Sequence, residues 1–522
     1  VPTTLTPTDE QQAAVTAFAT GRNLVLQAGA GTGKTSTLEL LADSDRTRRG
    51  LYLAFNRAIK EAAALRFPTR VKCSTGHGLA YAVVGHQYRH RFGGARTPAW
   101  KTADLLGLSH KLTVNDRVFE NTSLAYIAKQ TVLRFCQSAD KDIDTKHVPL
   151  QRGAEDPAVH QVLAATVLPY AQRAWSDVRD PAGSKLKVEH DHYLKVWQLT
   201  DPHIKADYIL LDEAQDTNPA LEYVLNLQRD HAQIVLVGDS AQQIYTWRGA
   251  RDIMTDFDGT HLTLTQSFRF GPALAAEANR WLTLTRSPLR LTGHHATPTR
   301  LEEVKNPDVV LCRTNGGAMA EVLHQMESGR RVAMAGGGGT LRSLASAAED
   351  LKKGRGTRHP ELYLFRTWGE VQDYAENDPA GADLLPWVEL VDELGTEAVM
   401  QAVDQLGSET TADVTVSTVH KAKGREWPAV RIGEDFTPPE EDELGRPGRI
   451  FRSEARLAYV AVTRARLQLD IGGSTNTPRV NQPRQNRPVS PPPGHKRTPG
   501  TASTSRKTGE TWLICMIGPQ AS

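Results

Sequence analysis

The chain has 522 residues, of which 39% are hydrophobic and 23% charged, with a formal net charge of +2. That length exceeds the roughly 250–300 residues a single core usually holds, no apolar run approaches the ~18 residues of a membrane span, and a charge so near zero means that any basic surface is local. Cys73, Cys136, Cys312 and Cys515 lie far apart, which excludes a disulfide framework and a cysteine-rich metal site, and the N-terminus lacks the basic and apolar regions of a signal peptide, so the expectation is a reduced, cytoplasmic protein with no membrane partner.

Taken in order, Thr8 or Asp9 caps a first helix, and Gln11 falls in its first turn, where a side-chain amide can pair with an adenine edge. The run Asn23-Leu24-Val25-Leu26 reads as a strand. It leads through Gln27-Ala28-Gly29-Ala30-Gly31-Thr32-Gly33-Lys34-Thr35 into a helix beginning Ser36-Thr37-Leu38. Strand, glycine-rich loop and helix form the layout of a P-loop, in which backbone N–H groups from Gly29, Ala30, Gly31, Thr32, Gly33, Lys34, Thr35 and Ser36 cradle phosphates at a helix N-terminus. Lys34 reaches the β- and γ-phosphates, and the Thr35 hydroxyl is placed for Mg²⁺. Ala28 stands where the pattern has its first glycine.

Further apolar runs at Leu51–Phe55, Val71–Ser74, Tyr208–Leu211, Ile234–Val237 and Leu262–Thr265 read as buried parallel strands of the same α/β layer. A second set, Val309–Cys312, Val332–Ala335, Val414–Thr418 and Ala429–Ile432, predicts a second lobe. Between them the pattern turns helical. The expected organisation is a first lobe at 1–85 and 200–282 with a helical insertion at 86–199, and a second lobe at 283–340 and 407–472 with a reduced helical insertion at 341–406. Tyr193 and Trp197, at i and i+4, read as core packing of the first insertion. The run Ala335–Gly339 lacks a following Gly-Lys-Thr and is not a second P-loop. Residues 473–522 are rich in Pro, Arg, Ser, Thr and Gly and read as a disordered basic tail.

The strand Ile209-Leu210-Leu211 ends in Asp212 and Glu213. Carboxylates there can hold Mg²⁺ (Asp212) and polarise an attacking water (Glu213). After the next strand, Gln242 can sense a γ-phosphate. Tyr245, Trp247 and Arg248 interleave aromatic and basic groups, a pattern that stacks bases and binds a phosphate backbone.

With the P-loop, Asp212-Glu213-Ala214-Gln215-Asp216 and Val237-Gly238-Asp239 through Trp247-Arg248-Gly249-Ala250 resemble, in order, the motifs of superfamily 1 DNA helicases of the UvrD/PcrA/Rep type. Gln266-Ser267-Phe268-Arg269, Val416–Trp427 and Leu457–Ala465 resemble the later ones. The resemblance implies two RecA-like P-loop NTPase lobes, each interrupted by a helical insertion. It also implies ATP with Mg²⁺, single-stranded DNA and single/double-strand junctions as partners, and 3′→5′ movement. Gln11 is implied to read adenine, Phe268 to stack on it, Glu426 to meet the ribose, and Arg269 and Arg464 to contact the γ-phosphate, so the catalytic set is Lys34, Asp212, Glu213, Gln242, Arg269 and Arg464. Arg464 falls in a helix expected at Ala455–Ala465, whose bland alternative is a surface arginine.

Leu53–Ile59, Ser74–Ala80 and His192–Trp197 are more similar to the F-box-helicase branch and its phage relatives. Too few residues precede Gln11 for an F-box, so the resemblance is that of the motor. It puts Phe55, Asn56, Thr75, His77 and His420 beside Tyr245, Trp247 and Arg248 on the DNA side, with a satisfied core histidine as the other reading of His77. A translocase that strips proteins from single strands and a nucleotide-switched DNA-binding protein are the alternatives to a helicase. Loading or recombination proteins are open as further partners.

Overall fold

Most of the apolar runs carry no polar face, so a strand made from one of them must be covered on both sides, while Val71–Ser74 and Leu262–Thr265 alternate apolar with polar residues and suit the edges of a sheet. In the computed structural model each of them forms a strand. The structure describes residues 6–472 apart from 94–96, 98, 116, 153, 184, 246–250, 378–380, 382 and 438–447. The tail expected from 473, and Trp247 and Arg248, lie outside the described residues.

The first lobe begins with β1 (Leu24–Ala28), β2 (Gly50–Leu53) and β3 (Val71–Ser74). A helical segment follows, containing the short antiparallel hairpin β4 (Leu112–Val114) and β5 (Arg117–Phe119). The lobe is completed by β6 (Tyr208–Leu211), β7 (Gln233–Gly238) and β8 (Thr260–Leu264). Its sheet is parallel with the order β3-β2-β6-β7-β1-β8. The helices Asn121–Gln137, Pro157–Val178 and His190–Gln198 share one core with Leu51, Leu53, Ile209 and Leu211 of the sheet. Tyr193 and Trp197 belong to that core, as their spacing predicts.

The second lobe contains β9 (Arg300–Leu301), β10 (Val309–Cys312), β11 (Val332–Met334), β12 (Val414–Thr418), β13 (Trp427–Ile432) and β14 (Ala465–Asp470). These strands are also parallel, in the order β11-β12-β10-β13-β14-β9. Between β11 and β12 the helices Gly339–Lys352, Trp368–Asn377 and Leu385–Asp404 pack Leu344, Trp387 and Val391 against Val310, Val332 and Val416. The two helical segments touch: Arg152 holds Asp383 through both terminal nitrogens at 2.9 and 3.2 Å, and the Tyr374 hydroxyl donates to Glu155 at 2.7 Å. No described helix is long and apolar enough to cross a membrane.

A further core joins the lobes, bringing Ala30 and Ala241 of the first against Val419, Tyr459 and Val460 of the second. Because both sheets are parallel, the loops at the C-terminal ends of their strands gather on one side, where such folds place their ligands.

Candidate active site between the lobes

The glycine-rich loop leaves β1 and enters the helix Lys34–Ser44. Gly31 and Gly33 have φ of +74° and +77°, a left-handed conformation that favours glycine. A Cβ on Gly31 would also lie 2.5 Å from the Cβ of Arg269. Ala28 is instead the last residue of β1, buried among Leu26, Leu38 and Val237. That position is ordinary strand, which explains why alanine replaces glycine there. The helix N-terminus presents its unpaired N–H groups to the cleft. Lys34 Nζ lies 3.4 Å from the Ala28 carbonyl, and Ser36 Oγ accepts from Arg66 at 3.3 Å.

The acidic pair follows β6. The Thr35 hydroxyl donates to Asp212 Oδ2 at 3.0 Å, and the buried Tyr52 hydroxyl donates to the same oxygen at 2.8 Å. Glu213 adopts φ +53°, uncommon for a non-glycine residue. Burial, then repulsion from Glu213, pushes the Asp212 carboxyl up. Burial also disfavours charge on Glu213, but Lys34, Lys423 and Arg464 with the Gln215 amide outweigh it and hold that carboxyl below its ordinary value. The arrangement favours the ionised form of Glu213. Thr35 and Asp212 are hard oxygen donors at the foot of a phosphate loop, a donor set that fits Mg²⁺, which needs one or two protein oxygens and takes the rest from water and phosphate. Among the described residues no group of three or more His, Cys, Asp or Glu side chains could hold a metal.

Gln242, after β7, donates to Asp239 Oδ2 at 2.7 Å and accepts from Arg464 Nη2 at 3.3 Å. Arg464 is only 1% exposed. The helix expected at Ala455–Ala465 runs over Arg452–Val462. Thr463 turns its hydroxyl back onto the Tyr459 and Val460 carbonyls, and β14 begins at Ala465. Arg464 therefore occupies the tight turn between helix and strand, pointing inward, and the surface alternative does not hold. Its Nε and Nη1 donate to the carbonyls of Val460 and Arg425 at 2.9 and 3.3 Å. Burial, then the nearby Arg269, lowers its pKa to about 9. Arg269 bonds Glu426 at 2.6 Å and the Thr463 carbonyl at 3.0 Å.

Lys34, Thr35, Glu213, Gln242, Arg269 and Arg464 line a cleft of 710 Å³ together with Phe55, Asn56, Tyr245, Phe268 and Lys423, while Asp212 lies behind Thr35 and outside that lining. On one side, Gln11 Nε2 and the Phe268 ring both approach Gly33; a Cβ there would lie 3.5 and 4.0 Å from them. Phe268 is 40% exposed, enough to offer its face to a flat ligand. The N-cap is Thr8, and Gln11 closes a capping box with it while donating to Thr37 Oγ1 at 3.0 Å. These bonds use one N–H and one lone pair of the Gln11 amide, which has two of each.

The residues expected on the DNA side are less uniform. Asn56 and Thr75 cap helices, accepting from the N–H groups of Ile59 and Gly78 at 2.9 Å each. His77 pairs with Asp191 at 2.7 Å beside Tyr193 and His190. The His420 carbonyl accepts from the Tyr245 hydroxyl at 2.8 Å. Thr75, His77 and His420 do not line the cleft. Several groups were not singled out by the sequence: Tyr52, Asp216, Asp239, Lys423 and Tyr459. Lys423 pairs with Asp216 and donates to the Gln242 carbonyl at 2.6 Å, with its ammonium 5.0 Å from the centre of the Tyr245 ring. Burial lifts Asp216 to about 6, although Lys423 opposes the rise.

Comparison with known proteins agrees with this geometry. Residues 11–248 match the AAA domain family and residues 339–475 the UvrD-like helicase C-terminal domain. The chain is 32% identical over 496 residues to the F-box DNA helicase protein 1 of Schizosaccharomyces pombe, covering 86% of this chain and 55% of that one. It is 29% identical over 488 residues to the F-box DNA helicase 1 of Gallus gallus, covering 85% and 47%. It is also similar to the DNA helicase II of Rickettsia typhi, 29% identical over 302 residues, covering 49% and 42%. The chain spans about half the length of these curated relatives.

Proposed function

The chain belongs to the UvrD-like helicases of superfamily 1, related to the F-box DNA helicases, and from that membership we propose that it is an ATP-dependent DNA helicase, moving 3′→5′ on single-stranded DNA and unwinding duplex at single/double-strand junctions. The observation that carries the catalytic half is the bond from Arg464 of one lobe to Gln242 of the other, over a cleft also lined by Lys34, Thr35 and Glu213.

In this reading the triphosphate lies along residues 29–36, with Lys34 at the β- and γ-phosphates and the base between Phe268 and Gln11. Glu426 leaves Arg269 to meet the ribose, which frees the Arg269 guanidinium for the γ-phosphate. Thr35 and Asp212 would hold Mg²⁺, which would supply charge neutralisation at the phosphate oxygens. Glu213 takes a proton from the attacking water, Gln242 orients that water, and Arg269 and Arg464 stabilise charge on the transferring phosphoryl group, giving ADP and inorganic phosphate. Loss of the γ-phosphate removes the anion between the lobes, so the cleft opens. Phe55, Tyr245, Trp247 and Arg248, with Asn56, Thr75, His77 and His420, form the DNA-side set. Stacking of about 1–3 kcal/mol per base holds a strand and still breaks in each cycle.

The motor lobes are 1–85 with 200–282 and 283–340 with 407–472, and the insertions at 86–199 and 341–406 flank the DNA path. The far-apart cysteines fit a reducing cytoplasm. Two assays test the function. Phosphate release should rise on adding single-stranded DNA, and a duplex with a 3′ tail should be displaced while a 5′-tailed one is not. Stimulated hydrolysis without displacement would identify the protein-stripping translocase instead.

A further inference from the structure

Tyr459 sits on the second-lobe helix Arg452–Val462 and is fully buried. Its ring packs in the core that joins the lobes, beside Ala30, Ala241 and Phe270. A buried phenol needs partners for its hydroxyl, and this one has two, both in the first lobe. The hydroxyl accepts from the backbone N–H of Ala30 at 3.2 Å, inside the phosphate loop, and donates to Asp239 Oδ2 at 2.8 Å. Asp239 is itself fully buried. The same Oδ2 accepts from Gln242 Nε2 at 2.7 Å, and Oδ1 accepts from Ala241 N at 3.1 Å. Gln242 Oε1 then accepts from Arg464 Nη2 at 3.3 Å. The bonds run from the phosphate loop through Tyr459, Asp239 and Gln242 to Arg464, and return to the helix that carries Tyr459.

We propose that the Tyr459 hydroxyl is a positioning group that couples the phosphate loop and Gln242 to closure of the two lobes. The inference rests on the ATP-hydrolysing reading of the cleft. Tyr459 touches neither phosphate nor water in that reading; it acts through the Ala30 peptide and the Asp239 carboxylate. With the lobes together, the hydroxyl fixes the orientation of the Ala30 N–H, and Asp239 receives donors from both lobes. The Gln242 amide is then held with its oxygen toward Arg464. When the lobes part, the hydroxyl leaves with the second lobe. A buried N–H and a buried carboxylate each lose a partner, which is costly away from water, so the loop and Gln242 must rearrange. The arrangement competent for hydrolysis is thereby assembled only in the closed cleft.

Tyr459→Phe removes one oxygen and keeps the ring in its core. Loss of a hydrogen bond to a charged acceptor corresponds to roughly ten- to a hundredfold. The kcat of DNA-stimulated hydrolysis should fall by that factor while KM for ATP moves by less than about twofold, the pattern of a loss that falls on the chemical step and not on ATP binding. Asp239→Asn should lower kcat similarly, and adding Tyr459→Phe to Asp239→Asn should cost nothing more. An unchanged kcat in Tyr459→Phe, or losses that multiply in the double variant, overturns the inference; a role in packing alone would give multiplying losses. If Tyr459→Phe does not fold, Asp239→Asn decides, and wild-type kcat in that variant overturns the proposal. A wild-type protein without DNA-stimulated turnover refutes the enzymatic reading itself. Hydrogen exchange at the Ala30 amide would then still read the bridge, and equal protection in wild type and Tyr459→Phe would show that the bridge is not there.

Discussion

Lys423 of the second lobe is locked onto Asp216 of the first, with both side chains almost entirely out of solvent. Glu213 and Lys34 also face Asp216, the one repelling its charge and the other favouring it. Such a pair couples the lobes electrostatically, and breaking one partner of a buried pair typically costs about 3–5 kcal/mol.

The pH dependence of that cost follows from Asp216. Its folded pKa of about 6 lies above the ordinary 3.8. The native state therefore binds the extra proton, and the stability this contributes is complete below about 3.8 and lost as pH rises through about 6. Above that, the charged form depends on Lys423. Lys423→Met should destabilise the protein strongly in urea unfolding at pH 8. The loss should be smaller at pH 5.5, where Asp216 can take a proton. An equal loss at both pH values would show that the pair is not the cause.

Lys34→Ala and Glu213→Gln should both abolish turnover, by different routes. Without Lys34 the β- and γ-phosphates lose a ground-state contact, so ATP affinity drops. Glu213→Gln keeps the size and removes the base, so ATP still binds. Fluorescent-nucleotide titration separates them, and an equal loss of affinity would sink the division of roles.

Arg464→Lys retains a charge and loses the planar fork. Arginine fingers contribute on the order of 10³–10⁵ in rate, and DNA-stimulated hydrolysis should fall by about 10³-fold. Because Arg464 also binds the carbonyls of Val460 and Arg425, melting should be measured in parallel. Near-wild-type hydrolysis in a folded variant would remove Arg464 from the site.

In the proposed mechanism Tyr52 stands one step behind the residue that would hold Mg²⁺. Its hydroxyl donates to the Asp212 oxygen that Thr35 also contacts, and outer-shell partners of this kind change metal affinity by roughly 10–100-fold. Tyr52→Phe should raise the Mg²⁺ concentration needed for half-maximal hydrolysis, and Mn²⁺ binding followed by electron paramagnetic resonance should weaken in step. An unchanged metal dependence would make Tyr52 a packing residue only.

Most strands were legible because both faces are buried and an uninterrupted apolar run leaves little choice of element; the edge strands Val71–Ser74 and Thr260–Leu264 were legible from shorter, alternating runs. Arg300–Leu301 was too short to read, and Ala465–Asp470 alternates apolar with polar residues, so neither produced an uninterrupted run. Within the site, residues that work through local context could be read from one stretch of chain: Lys34 and Thr35 behind glycines, Asp212 and Glu213 at a strand end. Tyr459 and Asp239 could not, because their meaning lies in a hydrogen bond between positions 220 residues apart. The only local hint was a tyrosine inside an apolar helix with no neighbouring partner for its hydroxyl. Asn56 and Thr75 show that a residue in a motif-like stretch can also cap a helix with its side-chain oxygen.

The long reach from Ala30 to Tyr459, 429 residues along the chain, bears on how the protein is made. A ribosome finishes the phosphate loop more than 400 residues before the helix Arg452–Val462. While the residues between Glu213 and Tyr459 are being added, the emerging first lobe has its loop, Asp212 and Glu213, but neither Tyr459 nor Arg464. A nascent or prematurely terminated chain therefore has a phosphate-binding loop without the residues that complete the cleft, and the order of translation itself keeps an unfinished motor idle.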